Sequence, residues 1–147
     1  MKGVIEEATV RTRPPALDLP RVLVAAATTA ACRTIAQALR HEGYVVSTTL
    51  ARADVLRDLR NQKALELLVL DGSERPWIAA SMIASARAIN PALPIVLILE
   101  HDPELRGDAE RLGVEAILES PVAAEEIRHA ATHIVPVLPE VELDLAG

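Results

Sequence analysis

Leu67-Leu68-Val69-Leu70-Asp71-Gly72 places four consecutive aliphatic residues directly before one carboxylate and a glycine. An apolar run this short and uninterrupted fits a strand buried on both faces, as in the middle of a parallel sheet. Such a strand delivers Asp71 to its carboxyl end, where open α/β sheets form their ligand and reaction crevices. Asp-Gly after a strand also has a plainer use as turn chemistry, with the carboxylate accepting from nearby backbone amides. What the chain does therefore depends on the company Asp71 keeps.

Working outward, the same kind of apolar run recurs, each time followed by a helical pattern. Val22-Leu23-Val24-Ala25 precedes a helix over Ala30–Glu42, with Ile35, Leu39, Ala31 and Ala38 inward. Thr28 or Thr29 can cap this helix, and Gly43 ends it in the C′ role. Tyr44–Thr48 reads as a strand, and residues 51–62 as a helix with Val55, Leu56 and Leu59 inward. Arg52, Arg57 and Arg60 fall on its outer face with Lys63 beyond, and Asp54 and Asp58 stand at spacings that suit surface pairing. After the opening strand and a loop through Pro76, a helix runs from Ile78 to Ile89 and stops at Asn90-Pro91. Pro94–Leu99 is a further apolar run. Asp102-Pro103-Glu104 then starts a helix well, because Asp caps, Pro suits the first turn and Glu favours the dipole. Ala116–Leu118 and a helix over Val122–Val135 complete the series.

Five β-α units with short loops imply an α/β domain: a parallel sheet with helices on both faces. Its expected extent is residues 21–135. Residues 1–20, interrupted by Arg13-Pro14-Pro15 and Leu19-Pro20, are expected to be an arm outside it. In the tail, 136–147, Val141, Leu143 and Leu145 alternate with Glu142 and Asp144. That tail is either extended along a sheet edge or groove, or disordered.

Composition narrows the function. The 147 residues are 50% hydrophobic, but Tyr44 and Trp77 are the only aromatics. Single-stranded nucleic-acid and sugar binding, which lean on stacking platforms, are disfavoured. The net charge of −6 is uneven: residues 1–98 carry 12 basic and 9 acidic side chains, residues 99–147 carry 3 and 12. The C-terminal half would repel nucleic acid and steer a basic partner. Cys32 is the only cysteine, so a reducing compartment is expected. No apolar run approaches a membrane span and no signal core opens the chain, so the expected location is cytoplasmic, with no membrane partner.

Several of these segments together resemble the receiver domain of bacterial response regulators. They are Arg21-Val22-Leu23-Val24, Glu42-Gly43-Tyr44-Val45-Val46, Leu67 to Asp71, Asn90-Pro91-Ala92-Leu93-Pro94-Ile95-Val96, and Gly113 through Ser120-Pro121. The resemblance covers about residues 21–135 in order and spacing. It implies a flavodoxin-like (βα)5 three-layer sandwich, a five-stranded parallel sheet in the order 2-1-3-4-5, with Asp71 at the phospho-acceptor position.

It also implies a site from which the working parts have gone. The acidic pair that holds Mg²⁺ in receivers falls at Ala26 and Ala27. The hydroxyl residue of the fourth strand falls at Leu99, the switch aromatic at Ile117, and the lysine before the proline at Ser120. Mg²⁺ requires near-octahedral oxygen ligation and meets one carboxylate. Without the metal, phosphoryl transfer to Asp71 lacks charge neutralisation. The expectation is a pseudo-receiver that binds protein partners, is not an enzyme, and needs no cofactor or metal. One alternative is a phospho-accepting regulator with a metal site rebuilt from Glu74, Glu100, His101 or Asp102. Another is a small, mostly apolar ligand in a pocket of Ala26, Ala27, Leu99 and Ser120.

The contact surface implied by the family is Glu104, Asp108, Glu110, Glu115, Glu125 and Glu126, facing a basic protein partner. Self-association as a homodimer stays open. Trp77, just past the Asp71 loop, is a candidate anchor for a partner or a lid over the pocket. Glu125, His129 and His133 share one helix face at metal-ligand spacing, but without a cysteine partner or a second helix the signal is weak and a solvated helix face is the favoured reading. Cys32 is read as a small core residue.

Overall fold

The computed structural model describes residues 19–50, 52–62 and 64–137. Five strands alternate with five helices: β1 (Arg21–Ala25), α1 (Thr29–Glu42), β2 (Val45–Thr49), α2 (Arg52–Asn61) and β3 (Leu65–Asp71), followed by α3 (Pro76–Ile89), β4 (Ile95–Leu99), α4 (Pro103–Arg111), β5 (Ala116–Glu119) and α5 (Ala124–Ile134). All strand pairs are parallel and the order is β2-β1-β3-β4-β5, as expected.

Strand periodicity divides the core into two layers. Val22, Val24, Leu67, Val69, Val96 and Ile98 pack with Ile35 and Leu39 of α1 and Ile127 and Ala131 of α5. Leu23, Leu68, Leu70, Leu97 and Leu99 pack on the other face with Val55 of α2, Ile83 of α3 and Leu105 of α4. β3 begins two residues earlier than its apolar run suggests. Arg21 pairs with Leu65 and Val22 with Leu67, so Glu66 is the extra residue of a bulge, and it is exposed. A charge here interrupts the apolar pattern without ending the strand.

Capping follows the expected chemistry, with two shifts. Thr28 Oγ1 accepts from the Ala31 amide, and Gly43 takes the left-handed φ of 109° that ends α1. Asp102 Oδ1 accepts from the Leu105 amide at 3.0 Å. α3 starts at Pro76 rather than Ile78, because proline's fixed φ and missing N–H suit the first helical position. α5 starts at Ala124 rather than Val122, with the Glu126 carboxylate accepting from the Ala123 amide at 2.9 Å. Ser120-Pro121 is cis. Residues 1–18 of the expected arm and 138–147 of the expected tail lie outside the described residues. Val137, at the start of the tail, packs on the α1–α5 layer. Among the described residues no helix is long and apolar enough to cross a membrane.

Tyr44 closes this layer. It is 4% exposed, and its hydroxyl donates to the Val135 carbonyl at 2.5 Å, tying the start of β2 to the end of α5. Burial, reinforced by Glu42 and Glu66, pushes the phenol from 10.0 up to about 12. A pKa raised in the folded state means that folding favours the protonated phenol. This contribution is complete below pH 10 and is lost as pH rises through about 12. Tyr44→Phe should cost about 1–2 kcal/mol at neutral pH and flatten the alkaline fall in stability, read by denaturant unfolding across that window.

Candidate functional site

β1 and β3 lie where the strand order reverses, so the crevice at their carboxyl ends is where a sheet of this kind binds ligands. Asp71 stands there, half-buried. Its Oδ1 accepts from the Ser73 amide at 3.0 Å and from the Ser73 hydroxyl at 2.6 Å. The carboxylate is thus folded back on its own turn, which is the plainer use of Asp-Gly. Gly72 is needed for close approach: a Cβ there would lie 2.7 Å from Ala79 Cβ at the start of α3.

Opposite Asp71, Ala26 and Ala27 present only methyl groups to the same cleft of about 240 Å³. Ile78, Ala79 and Met82 of α3 form the apolar wall, and Leu50 flanks the mouth at half exposure. The remaining polar lining is Arg52 from α2 and Arg75 from the loop before α3. Sequence spacing did not bring these two cations to Asp71. Arg52 was expected in surface pairs on α2, but Arg57 takes both acidic neighbours, Asp54 at 3.0 Å and Asp58 at 3.8 Å. Arg52 instead donates to Ser81 Oγ of α3 at 3.1 Å.

The expected pocket of Ala26, Ala27, Leu99 and Ser120 is corrected in two positions. Leu99 is fully buried and packs into the layer under α2, α3 and α4. Ser120 donates its amide to the Leu99 carbonyl at 2.7 Å and does not line the cleft. Beside its apolar wall the cleft also carries a carboxylate and two guanidiniums, which a mostly apolar ligand would leave unused. Ile117 is half-buried against the same layer as Leu99.

The donor set does not fit Mg²⁺. Asp71 is the one carboxylate lining the cleft, one of its oxygens is engaged by Ser73, and its charged neighbours are cations. The alternative donors do not converge either. Asp102 caps α4, His101 Nδ1 lies 3.9 Å from Glu119, and Glu74 and Glu100 are exposed. Among the described residues no three His, Cys, Asp or Glu side chains are grouped to hold a metal, Glu125, His129 and His133 included. Cys32 is buried and its Sγ donates to the Thr49 carbonyl at 3.5 Å. Burial raises its thiol pKa against the opposing effect of the Ala26 and Thr49 backbone, in keeping with a core residue.

The acidic residues of the C-terminal half do not form one free patch. Glu115 Oε1 accepts from the Ile95 amide at 2.7 Å and from Arg87 at 3.2 Å, holding β4 and β5 in register. Glu126 is used in the α5 cap, and Asp108 pairs with Arg111. Glu110 and Glu125 are exposed. Glu104 and Asp108 also border a groove of about 420 Å³ between α3 and α4, together with Asp102, Leu105, Pro76 and Trp77. Trp77 is 69% exposed at this groove and points away from service as a lid, since it does not line the Asp71 cleft.

No family profile matches the sequence, and no curated relative matches it either. Solved structures do. A CheY-like response regulator receiver domain protein from Methanospirillum hungatei JF-1 superposes with a TM-score of 0.72 at 19% identity, covering 79% of this chain and 93% of that one. A response regulator receiver protein from Pseudomonas putida gives 0.72 at 23% identity, covering 78% and 97%. A protein assigned to pilus assembly in Burkholderia thailandensis E264 gives 0.68 at 20%, covering 79% and 98%. At these identities the likeness lies in the path of the backbone. The chain has the fold of the CheY-like response-regulator receiver domain.

Proposed function

We propose that this protein is a pseudo-receiver: a receiver-fold module of bacterial signalling that acts by binding a protein partner, without phosphorylation at Asp71. The observation that carries this is the Asp71 carboxylate, turned onto Ser73 and facing two alanines and two arginines in place of a metal site.

The α3–α4 groove is the binding surface this function favours. An exposed tryptophan beside Glu104 and Asp108 suits a lysine or arginine side chain, which the indole face attracts and the carboxylates neutralise. A large, rigid aromatic at the edge of a groove is also the usual form of an interface anchor. The test is comparative capture of partners on the immobilised full chain. Asp71→Asn should retain the wild-type set, whereas Trp77→Ala, or Glu104→Lys with Asp108→Lys, should lose it by tenfold or more. Capture that requires Asp71, or that increases with a phosphodonor, would refute the proposal.

A further inference from the structure

From the cleft at the carboxyl ends of β1 and β3, we infer a binding site for a small organic anion with one charged head and a short apolar body. The inference is independent of the partner groove, which lies on the α3–α4 side and shares no lining residue with the cleft.

Three features define the ligand. The first is sign. The cleft holds Arg52 and Arg75 against the single charge of Asp71, which is already engaged by two hydrogen bonds from Ser73. Among the described residues neither arginine has a carboxylate within ion-pair distance. Arg52 gives one Nη2 hydrogen bond to Ser81 Oγ, and the remaining guanidinium donors can meet an incoming oxyanion. Glu74 is exposed on the neighbouring loop and does not line the cleft. No acidic side chain occupies the first turn of α3, whose N-terminal end adds a weak positive field at the same place.

The second feature is the wall. Ala26, Ala27, Ile78, Ala79 and Met82 offer methyl, methylene and thioether surface and no hydrogen-bond donor. The third is size. About 240 Å³ is below the ~300–1,000 Å³ of sites for drug-sized molecules. The body is therefore short. An oxyanion held by Arg52 and Arg75 at the mouth, with its chain against the α3 wall, meets all three conditions. Replacement of the two acids by alanines does more than remove a metal site: it opens the volume and reverses the charge.

The head is a carboxylate or a phosphate monoester, which share the oxyanion chemistry, and the experiment separates them. The ¹⁵N-labelled full chain is titrated at low ionic strength with hexanoate, hexyl phosphate and 1-hexanol, following the backbone amides. Saturable shifts at Ala26, Ala27, Ile78 and Ala79 are expected with at least one anion, and the tighter of the two identifies the head. Hexanol should bind at least tenfold more weakly. Arg52→Gln with Arg75→Gln should weaken the anion at least tenfold with the spectrum otherwise unchanged. Both residues are exposed, and the one side-chain hydrogen bond at stake is that of Arg52 to Ser81 on the surface. Either single variant gives the same direction at smaller amplitude. The inference is overturned if neither anion saturates by roughly 10 mM, a binding energy under about 3 kcal/mol. It is also overturned if hexanol binds as well as the anions, or if the double variant binds unchanged.

Discussion

Arg87→Ala is expected to lower the unfolding free energy by about 3 kcal/mol or more, the largest single effect of any polar substitution in the domain. The side chain is only 17% exposed and serves four acceptors. Its Nε donates to the Leu112 carbonyl at 2.9 Å and Nη2 to the Gly113 carbonyl at 2.7 Å. Its Nη1 donates to the Leu93 carbonyl, and Nη2 also meets Glu115 at 3.2 Å. One guanidinium therefore ties the end of α3 to the loop before β4 and to the turn between α4 and β5. Alanine would leave these carbonyls without partners and free Glu115, which itself holds the Ile95 amide. Lysine, with its single ammonium, cannot reproduce the planar fork. Denaturant unfolding with an unchanged m-value should show the loss, and an Arg87→Ala variant within about 0.5 kcal/mol of wild type would contradict it.

Leu99→Thr is expected to cost about 2–4 kcal/mol, even though the receiver resemblance places a hydroxyl residue at this position. Leu99 is fully buried and packs in the layer formed by α2, α3 and α4. Threonine removes methylene volume and brings in a hydroxyl that meets no polar partner among these side chains. Leu99→Ile, which keeps the volume, should cost less than about 1.5 kcal/mol. The comparison separates a site position that has become core from one that is merely vacant. If threonine is as well tolerated as isoleucine, the position has kept its polar environment.

The scaffold was readable because local and global signals agree. Leu67–Leu70 is apolar on both sides because both sides are covered, and Thr28, Gly43 and Asp102 cap helices for reasons internal to their own turns. That Ala26 and Ala27 share a cleft with Asp71 was readable by register. What escaped was everything that depends on long-range approach. Arg52 and Arg75 come to Asp71 from different elements, separated from it in sequence by a helix in one case and a turn in the other. Arg87 looks like an ordinary helical arginine until the strand-entry loops fold around it. Charge counting also overstated the free acidic face. Glu115 and Glu126 carry backbone hydrogen bonds, which a formal charge cannot reveal.

The most direct measurement is intact mass after incubation of the full chain with acetyl phosphate and Mg²⁺. On the proposed function the expected result is an unchanged mass, the same for the wild type and for Asp71→Asn, because Asp71 is bonded to Ser73 and is the one carboxylate lining a cleft that also holds two guanidiniums. A stable gain of one phosphoryl group, abolished by Asp71→Asn, would contradict the account.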